Sequence, residues 1–91
     1  MSVVVLPARL DTTAASALWA ELSALLGQEI RLDASSVDQL GARCLEVLLT
    51  IRHLTLSTGS SITVEAISEA AIADLRTFGL SPDDISSGDA S

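Results

Sequence analysis

The chain lacks lysine altogether and has one cysteine, one tryptophan and one phenylalanine in 91 residues. A single cysteine, Cys44, excludes an intramolecular disulfide. With His53 as the one histidine, the chain also falls short of the roughly four Cys or His ligands of a structural zinc site. So few aromatic side chains argue against a deep cofactor pocket. We predict a close-packed aliphatic core and neither metal nor cofactor.

Positive charge is scarce as well. Five basic residues stand against twelve acidic ones, which gives a formal net charge of -7. Such a surface repels phosphate backbones and anionic lipid headgroups. No apolar run approaches the roughly 18 residues of a membrane span, and the first residues lack the charged start and apolar run of a signal peptide. We therefore expect a cytoplasmic protein that neither binds nucleic acid nor inserts into a membrane.

The groups needed for catalysis are missing in the same way. A nucleophile needs a base beside it, but His53 falls in the back half of the second predicted helix. The five glycines are scattered singly, so no phosphate-binding loop is present. Cys44, beside Arg43 near a helix start, leaves a redox sensor with a lowered thiol pKa as an alternative to a buried small apolar residue. We predict that the chain is not an enzyme.

Apolar residues are abundant, and their spacing alternates between strand and helix patterns. Strands are predicted at residues 3–6, 29–33 and 61–67, and helices at 13–26, from 42 onward, and at 69–78, with Ala71, Ile72, Leu75 and Phe78 facing inward. This alternation predicts an α/β fold with a small, mostly parallel sheet and helices packed against it. We assign residues 1–80 to one domain and residues 81–91, rich in Ser and Asp, to a flexible acidic tail.

A polar loop, residues 35–43, precedes the second and most apolar helix. In α/β folds, a helix N-terminus beyond the carboxyl end of a parallel strand commonly carries a ligand or partner site. Gly41 in this loop can instead simply permit a sharp turn. The residues alone leave both interpretations open.

Three stretches carry a resemblance to a known family. Leu10-Asp11, followed by Ala14-Ala15 and Leu18, lead into the first helix, although Ala8 and Arg9 replace the usual Gly-Glu. Residues 30–49, IRLDASSVDQLGARCLEVLL, and residues 61–80, SITVEAISEAAIADLRTFGL, each join a strand to an apolar helix. Together these stretches resemble the STAS domain, the fold of bacterial anti-sigma factor antagonists, over nearly the whole chain. The family's additional N-terminal strand is missing, which leaves a homodimer through an exposed sheet edge open.

The chain departs from the family at one decisive place. The family's Asp-Ser-Ser-Gly falls on Gly41-Ala42-Arg43-Cys44, so Ala42 stands where the family carries a phosphorylated serine. The family's phosphorylation switch therefore cannot operate. Arg43 puts a positive charge against the helix dipole unless Asp38, Asp11 or an acid on a partner compensates it. Phosphorylation of Ser35 or Ser36, further upstream in the loop, would be a different event.

The resemblance implies a binding module and the class of its partner. The implied partner-binding residues are Asp11, Ser36, Asp38, Gly41, Ala42 and Arg43. The implied partner is a kinase-like anti-sigma factor or a chemotaxis signalling protein, because a chemotaxis-associated subgroup carries a Gly-x-x-Cys-Leu segment similar to residues 41–45. An alternative within the family is the STAS subunit of an ATP-driven lipid transporter, which braces the ATPase without phosphorylation.

Overall fold

Strands and helices alternate along the chain, as the apolar patterns predict. The computed structural model describes residues 2–86. The strands are β1 (Ser2–Val5), β2 (Arg9–Leu10), β3 (Ile30–Ala34), β4 (Gln39–Leu40) and β5 (Ile62–Ile67). The helices are α1 (Ala15–Ser23), α2 (Ala42–Ser57) and α3 (Glu69–Thr77), with 3-10 turns at Thr12–Ala14 and Pro82–Asp84. The predicted α/β class is confirmed, and α1 is shorter than predicted because its first turn is a 3-10 turn.

The main sheet has three parallel strands in the order β1, β3, β5. Val4 of β1 lies beside Leu32 of β3, which lies beside Val64 of β5. Alternate side chains point to opposite faces of a strand. Val4 and Leu32 are therefore buried on one face, whereas Val3 and Val5 on the other face are 59% and 65% exposed. The three helices cover the first face only.

The core between sheet and helices is aliphatic, as predicted. All three helices contribute buried side chains to the core: Leu18, Leu22, Cys44, Leu45, Leu48, Ile51, Ala71 and Leu75. The prediction that Phe78 faces inward is wrong, since it is 43% exposed at the C-cap of α3. Gly79 follows it with a φ of 77°, which ends the helix as the sequence predicts. Within residues 2–86, no helix combines the length and apolarity needed to cross a bilayer.

A second, two-stranded parallel pair joins β2 to β4. The backbone N–H of Gly41 donates to the carbonyl oxygen of Leu10 at 2.8 Å, and that of Asp38 donates to the carbonyl oxygen of Ala8 at 2.7 Å. These bonds continue the pairing beyond both strands. The segment before α1 is therefore held against the loop before α2, which brings together parts of the chain about 30 positions apart.

The segment after α3 is packed rather than loose. Ile85 is only 2% exposed and belongs to the core. The guanidinium Nε of Arg52 donates to the carbonyl oxygen of Ser86 at 3.2 Å, and Asp84 accepts from the backbone N–H of Ser81 at 2.8 Å. Residues 81–86, part of the segment expected to be a flexible tail, are thus packed against the core, and Ile85 supplies the buried apolar contact. Residues 87–91 of that expected tail lie outside the described residues.

Candidate functional site

In the turn that begins α2, the backbone lies close to the segment of the same chain that precedes α1. Gly41, the N-cap of α2, has ordinary extended backbone angles, φ -85° and ψ 166°. A Cβ at this position would lie 3.1 Å from the carbonyl oxygen of Leu10. The interpretation of Gly41 as a residue that merely permits a sharp turn is therefore wrong. A side chain here would crowd the carbonyl oxygen of Leu10, so the close approach of the two segments favours glycine.

Asp11 lies beside this turn and caps the 3-10 turn that leads into α1. Its Oδ1 accepts from the Thr13 hydroxyl at 2.6 Å and from the backbone N–H groups of Thr13 and Ala14 at 3.1 and 3.2 Å. The Thr13 hydroxyl bond is the main reason that the pKa of Asp11 lies below its ordinary value, with the two N–H groups and the Arg9 charge adding to it. The carboxylate is thus ionised and fixed at the edge of the turn.

Cys44 closes the turn from the inside. Its side chain is fully buried, and the thiol donates to the backbone carbonyl oxygen of Asp11 with a sulfur-to-oxygen distance of 3.2 Å. Burial raises the pKa of the thiol, and the negative charge of Asp11 raises it further. The lowered thiol pKa expected for a redox sensor is therefore wrong in direction, because burial and the charge of Asp11 both raise the pKa.

Ala42 and Arg43 form the exposed side of the same turn. The ion pairs formed among residues 2–86 belong to Arg31, which approaches Glu29 at 3.7 Å and Glu65 at 3.4 Å. Neither Asp11 nor Asp38 therefore forms an ion pair with Arg43, whose charge faces solvent at the positive end of the α2 dipole.

A shallow groove between α1 and α2 begins at Arg43. It has a volume of about 340 Å³ and is lined by Ala15, Ser16, Trp19, Arg43, Glu46, Val47 and Thr50. Trp19 is 41% exposed there. Sequence reasoning did not assign Trp19 to the site, although a signal was present. Trp19 lies one position after Leu18 in the buried stripe of Leu18 and Leu22. Its large aromatic side chain therefore points away from the core, to the flank of the helix.

The loop before the turn, residues 35–40, is held by α3. The Ser68 hydroxyl donates to the carbonyl oxygen of Val37, and the backbone N–H of Leu40 donates to Oδ2 of Asp74 at 2.8 Å. Both Ser68 and Asp74 are partly buried. Two side chains from the last helix therefore fix the path of a loop more than 30 residues earlier.

The two predicted site residues in this loop lie apart from the turn. Ser36 and Asp38 are exposed, and no hydrogen bond or ion pair joins either side chain to Gly41, Ala42 or Arg43. The neighbouring Ser35 is tied down, because its hydroxyl and N–H both donate to Asp33, at 2.6 and 3.0 Å, and lower the pKa of that carboxyl. The structure thus joins Asp11, Gly41 and Cys44 by direct contact and leaves Ser36 and Asp38 as separate surface positions.

One comparison with known proteins identifies a family. A family model described as "Mlab, STAS domain" matches residues 1–82. No curated protein and no solved structure matches the chain. STAS domains are generally non-catalytic modules that act through contacts with other proteins. The match covers all five strands, all three helices and the whole turn, and the chain belongs to the STAS domain family.

Proposed function

We propose that this chain is a permanently active protein-binding module of bacterial signal transduction, acting in the cytoplasm. It resembles an anti-sigma factor antagonist from which the phosphorylation switch has been removed. Its partner is a kinase-like anti-sigma factor or a chemotaxis signalling protein. The proposed binding face comprises Asp11, Ser36, Asp38, Gly41, Ala42 and Arg43, extended by the groove at Trp19.

The observation that carries this proposal is the exposed Arg43, which forms no ion pair with residues 2–86, in the same groove as the partly exposed Trp19. Arginine and tryptophan are the side chains that most often dominate the energetics of protein interfaces. The arginine supplies a charge-assisted hydrogen bond to a carboxylate, and the indole supplies apolar area next to it. An acidic side chain flanked by apolar ones on the partner matches this pair.

The turn has no acceptor for a regulatory phosphate at the position of the family's phosphorylated serine. Ala42 has no hydroxyl, and Ser35 and Ser36 lie further upstream in the loop, where the hydroxyl of Ser35 is bound to Asp33. A phosphate at the turn would add nearly two negative charges and release an acidic partner. Without an acceptor, binding follows the concentrations of the two proteins and not the activity of a kinase at this position.

A second candidate is the STAS subunit of an ATP-driven lipid transporter. A subunit that braces an ATPase needs a lasting contact surface and no phosphate acceptor, and Ala42 at the exposed turn suits that role equally well. The two candidates differ in the partner and not in the face used. Identification of the partner therefore decides between them.

The test is recovery of partners from a lysate of the bacterium that encodes the chain. Wild type is compared with Arg43→Glu and with the matched charge reversal Arg31→Glu, which lies on the open face of the sheet. We expect wild type and Arg31→Glu to retain the same protein, identified by mass spectrometry, and Arg43→Glu to lose it. Unchanged recovery by Arg43→Glu would remove Arg43 from the binding face. A kinase-like protein supports the signalling role, and a transporter ATPase supports the second candidate.

A further inference from the structure

The outer side of α3 carries a stripe of four residues at helical spacing. Glu69, Ile72, Ala73 and Arg76 follow one another at intervals of three, one and three positions, which places them on one side of the helix. They line a shallow hollow of about 320 Å³. Glu69, Ala73 and Arg76 are exposed and Ile72 is half-buried, while Ala71 and Leu75 on the opposite side enter the core.

This stripe is complementary to itself when read in the opposite direction. From the N-terminus it presents an acid, a large apolar residue, a small apolar residue and a base. In an antiparallel second copy, Glu69 faces Arg76 of the second copy and Ile72 faces Ala73 of the second copy. The same two contacts recur on the other side of the axis, as a two-fold interface requires. The large side chain meets the small one, which lets the helices approach closely.

The charges on the stripe have no ion-pair partner in the described part of their own chain. Neither Glu69 nor Arg76 forms an ion pair with any of residues 2–86. Glu69 lies in the first turn of α3 and Arg76 in the last. Antiparallel pairing therefore also sets the positive end of each helix dipole beside the negative end of the other.

The charge balance of the stripe favours it as a contact between two acidic copies. Two copies with a net charge of -7 each repel one another. The stripe on α3 is neutral and supplies two attractive pairs per dimer. We infer that α3 is a self-association surface, on which two copies pair antiparallel about a two-fold axis between Ile72 and Ala73. The contact uses none of the residues of the proposed partner face.

The expected dimer is weak and depends on concentration. α3 has nine residues, a length of roughly 14 Å at 1.5 Å per residue. A contact of this length is smaller than a standard stable interface. The dimer is therefore expected to form at high protein concentration, where sedimentation equilibrium over a wide concentration range measures its dissociation constant.

Charge reversal tests the pairing directly. Glu69→Arg places two arginines opposite each other across the axis, and Arg76→Glu places two glutamates there. Each variant alone is expected to raise the dimer dissociation constant about tenfold or more. An equimolar mixture of the two variants restores both attractive pairs, and so does the double variant. Both are expected to dimerise as well as wild type.

Two features of the design separate this contact from general charge effects and from misfolding. Glu69→Arg reduces the net negative charge, whereas Arg76→Glu increases it, so global repulsion predicts opposite effects and the α3 contact predicts the same one. Glu21→Arg, an exposed reversal on α1, is expected to leave dimerisation intact. Recovery in the mixture shows that both single variants are folded.

A monomeric wild type overturns the inference. So does a dimer that persists in both single variants, which would use another surface such as the exposed edge of β1, or a mixture that stays monomeric.

Discussion

The thiol of Cys44 donates a hydrogen bond to the backbone carbonyl oxygen of Asp11, 3.2 Å away. This contact fastens the first turn of α2 to the segment that leads into α1. It uses the cysteine as a small buried donor and not as a nucleophile. The contact also places the fixed carboxylate of Asp11 at the rim of the turn that carries Arg43.

A first prediction concerns the reactivity of this thiol. Burial keeps Cys44 protonated at neutral pH, so we expect iodoacetamide to label the folded protein much more slowly than the protein unfolded in denaturant. Cys44→Ala should lower the free energy of unfolding by about 1 to 3 kcal/mol, through a small cavity and a carbonyl left without its donor. Labelling of the folded protein at the rate of a free peptide would contradict the burial described here.

A second prediction concerns Asp11 and acid pH. Its pKa in the folded protein lies below the ordinary value of 3.8, so the unfolded chain binds the proton more readily. The stabilising contribution of Asp11 is therefore complete above pH 3.8 and is lost as the pH falls through the lower, folded-state pKa. NMR titration of the carboxyl group measures that value.

Matched threonine variants identify the cause of this shift. Thr13→Ala removes the 2.6 Å hydroxyl bond to Asp11 and is expected to raise the folded-state pKa toward the ordinary value. Thr12→Ala, an exposed neighbour whose hydroxyl makes no bond to Asp11, should leave it unchanged. Equal shifts in both variants would mean that the Thr13 hydroxyl is not the main cause.

A third prediction concerns the support of the loop by α3. Asp74→Ala leaves the backbone N–H of Leu40 without its acceptor. We expect a loss of about 1 to 2 kcal/mol in the free energy of unfolding, measured by urea denaturation. Asp74→Asn keeps an acceptor oxygen and should cost less. The same order of effects on partner affinity is expected, because the loop runs directly into the turn at Gly41.

A fourth prediction concerns the end of the domain. Ile85 is buried in the core, so Ile85→Ala should lower the free energy of unfolding by about 2 to 4 kcal/mol. Deletion of residues 81–91 should cost at least as much, whereas deletion of residues 87–91 keeps Ile85 and its contacts. Equal stability of the full chain and of the chain ending at residue 80 would mean that the domain ends at residue 80.

The sequence predicts the helices and the main sheet well because their signals are local. The alternation of Ile30 and Leu32 with polar neighbours indicates a strand. The spacing of Leu18 and Leu22 indicates one face of a helix. The N-cap role of Ser68 follows from its place just before an apolar run, and its side chain does accept from Ala71.

Long-range contacts explain the rest. β2 and β4 have two residues each, too few for any periodic pattern, and their pairing is set by the packing of the chain around them. Nothing near Asp11 in sequence reveals that its carbonyl oxygen receives the thiol of Cys44. The sequence does not predict the burial of Ile85 or the role of Trp19 for a related reason. Whether a single apolar residue is buried or exposed depends on the packing of neighbouring elements, which its local sequence does not show.

The central claim is that the exposed turn at the start of α2 binds a partner through the exposed charge of Arg43. Isothermal titration calorimetry with the purified partner measures it most directly, with wild type, Arg43→Glu and Arg31→Glu compared at equal pH and salt. We predict that Arg43→Glu raises the dissociation constant about tenfold or more, while Arg31→Glu leaves it within about twofold of wild type. Equal affinities of Arg43→Glu and wild type would contradict the account.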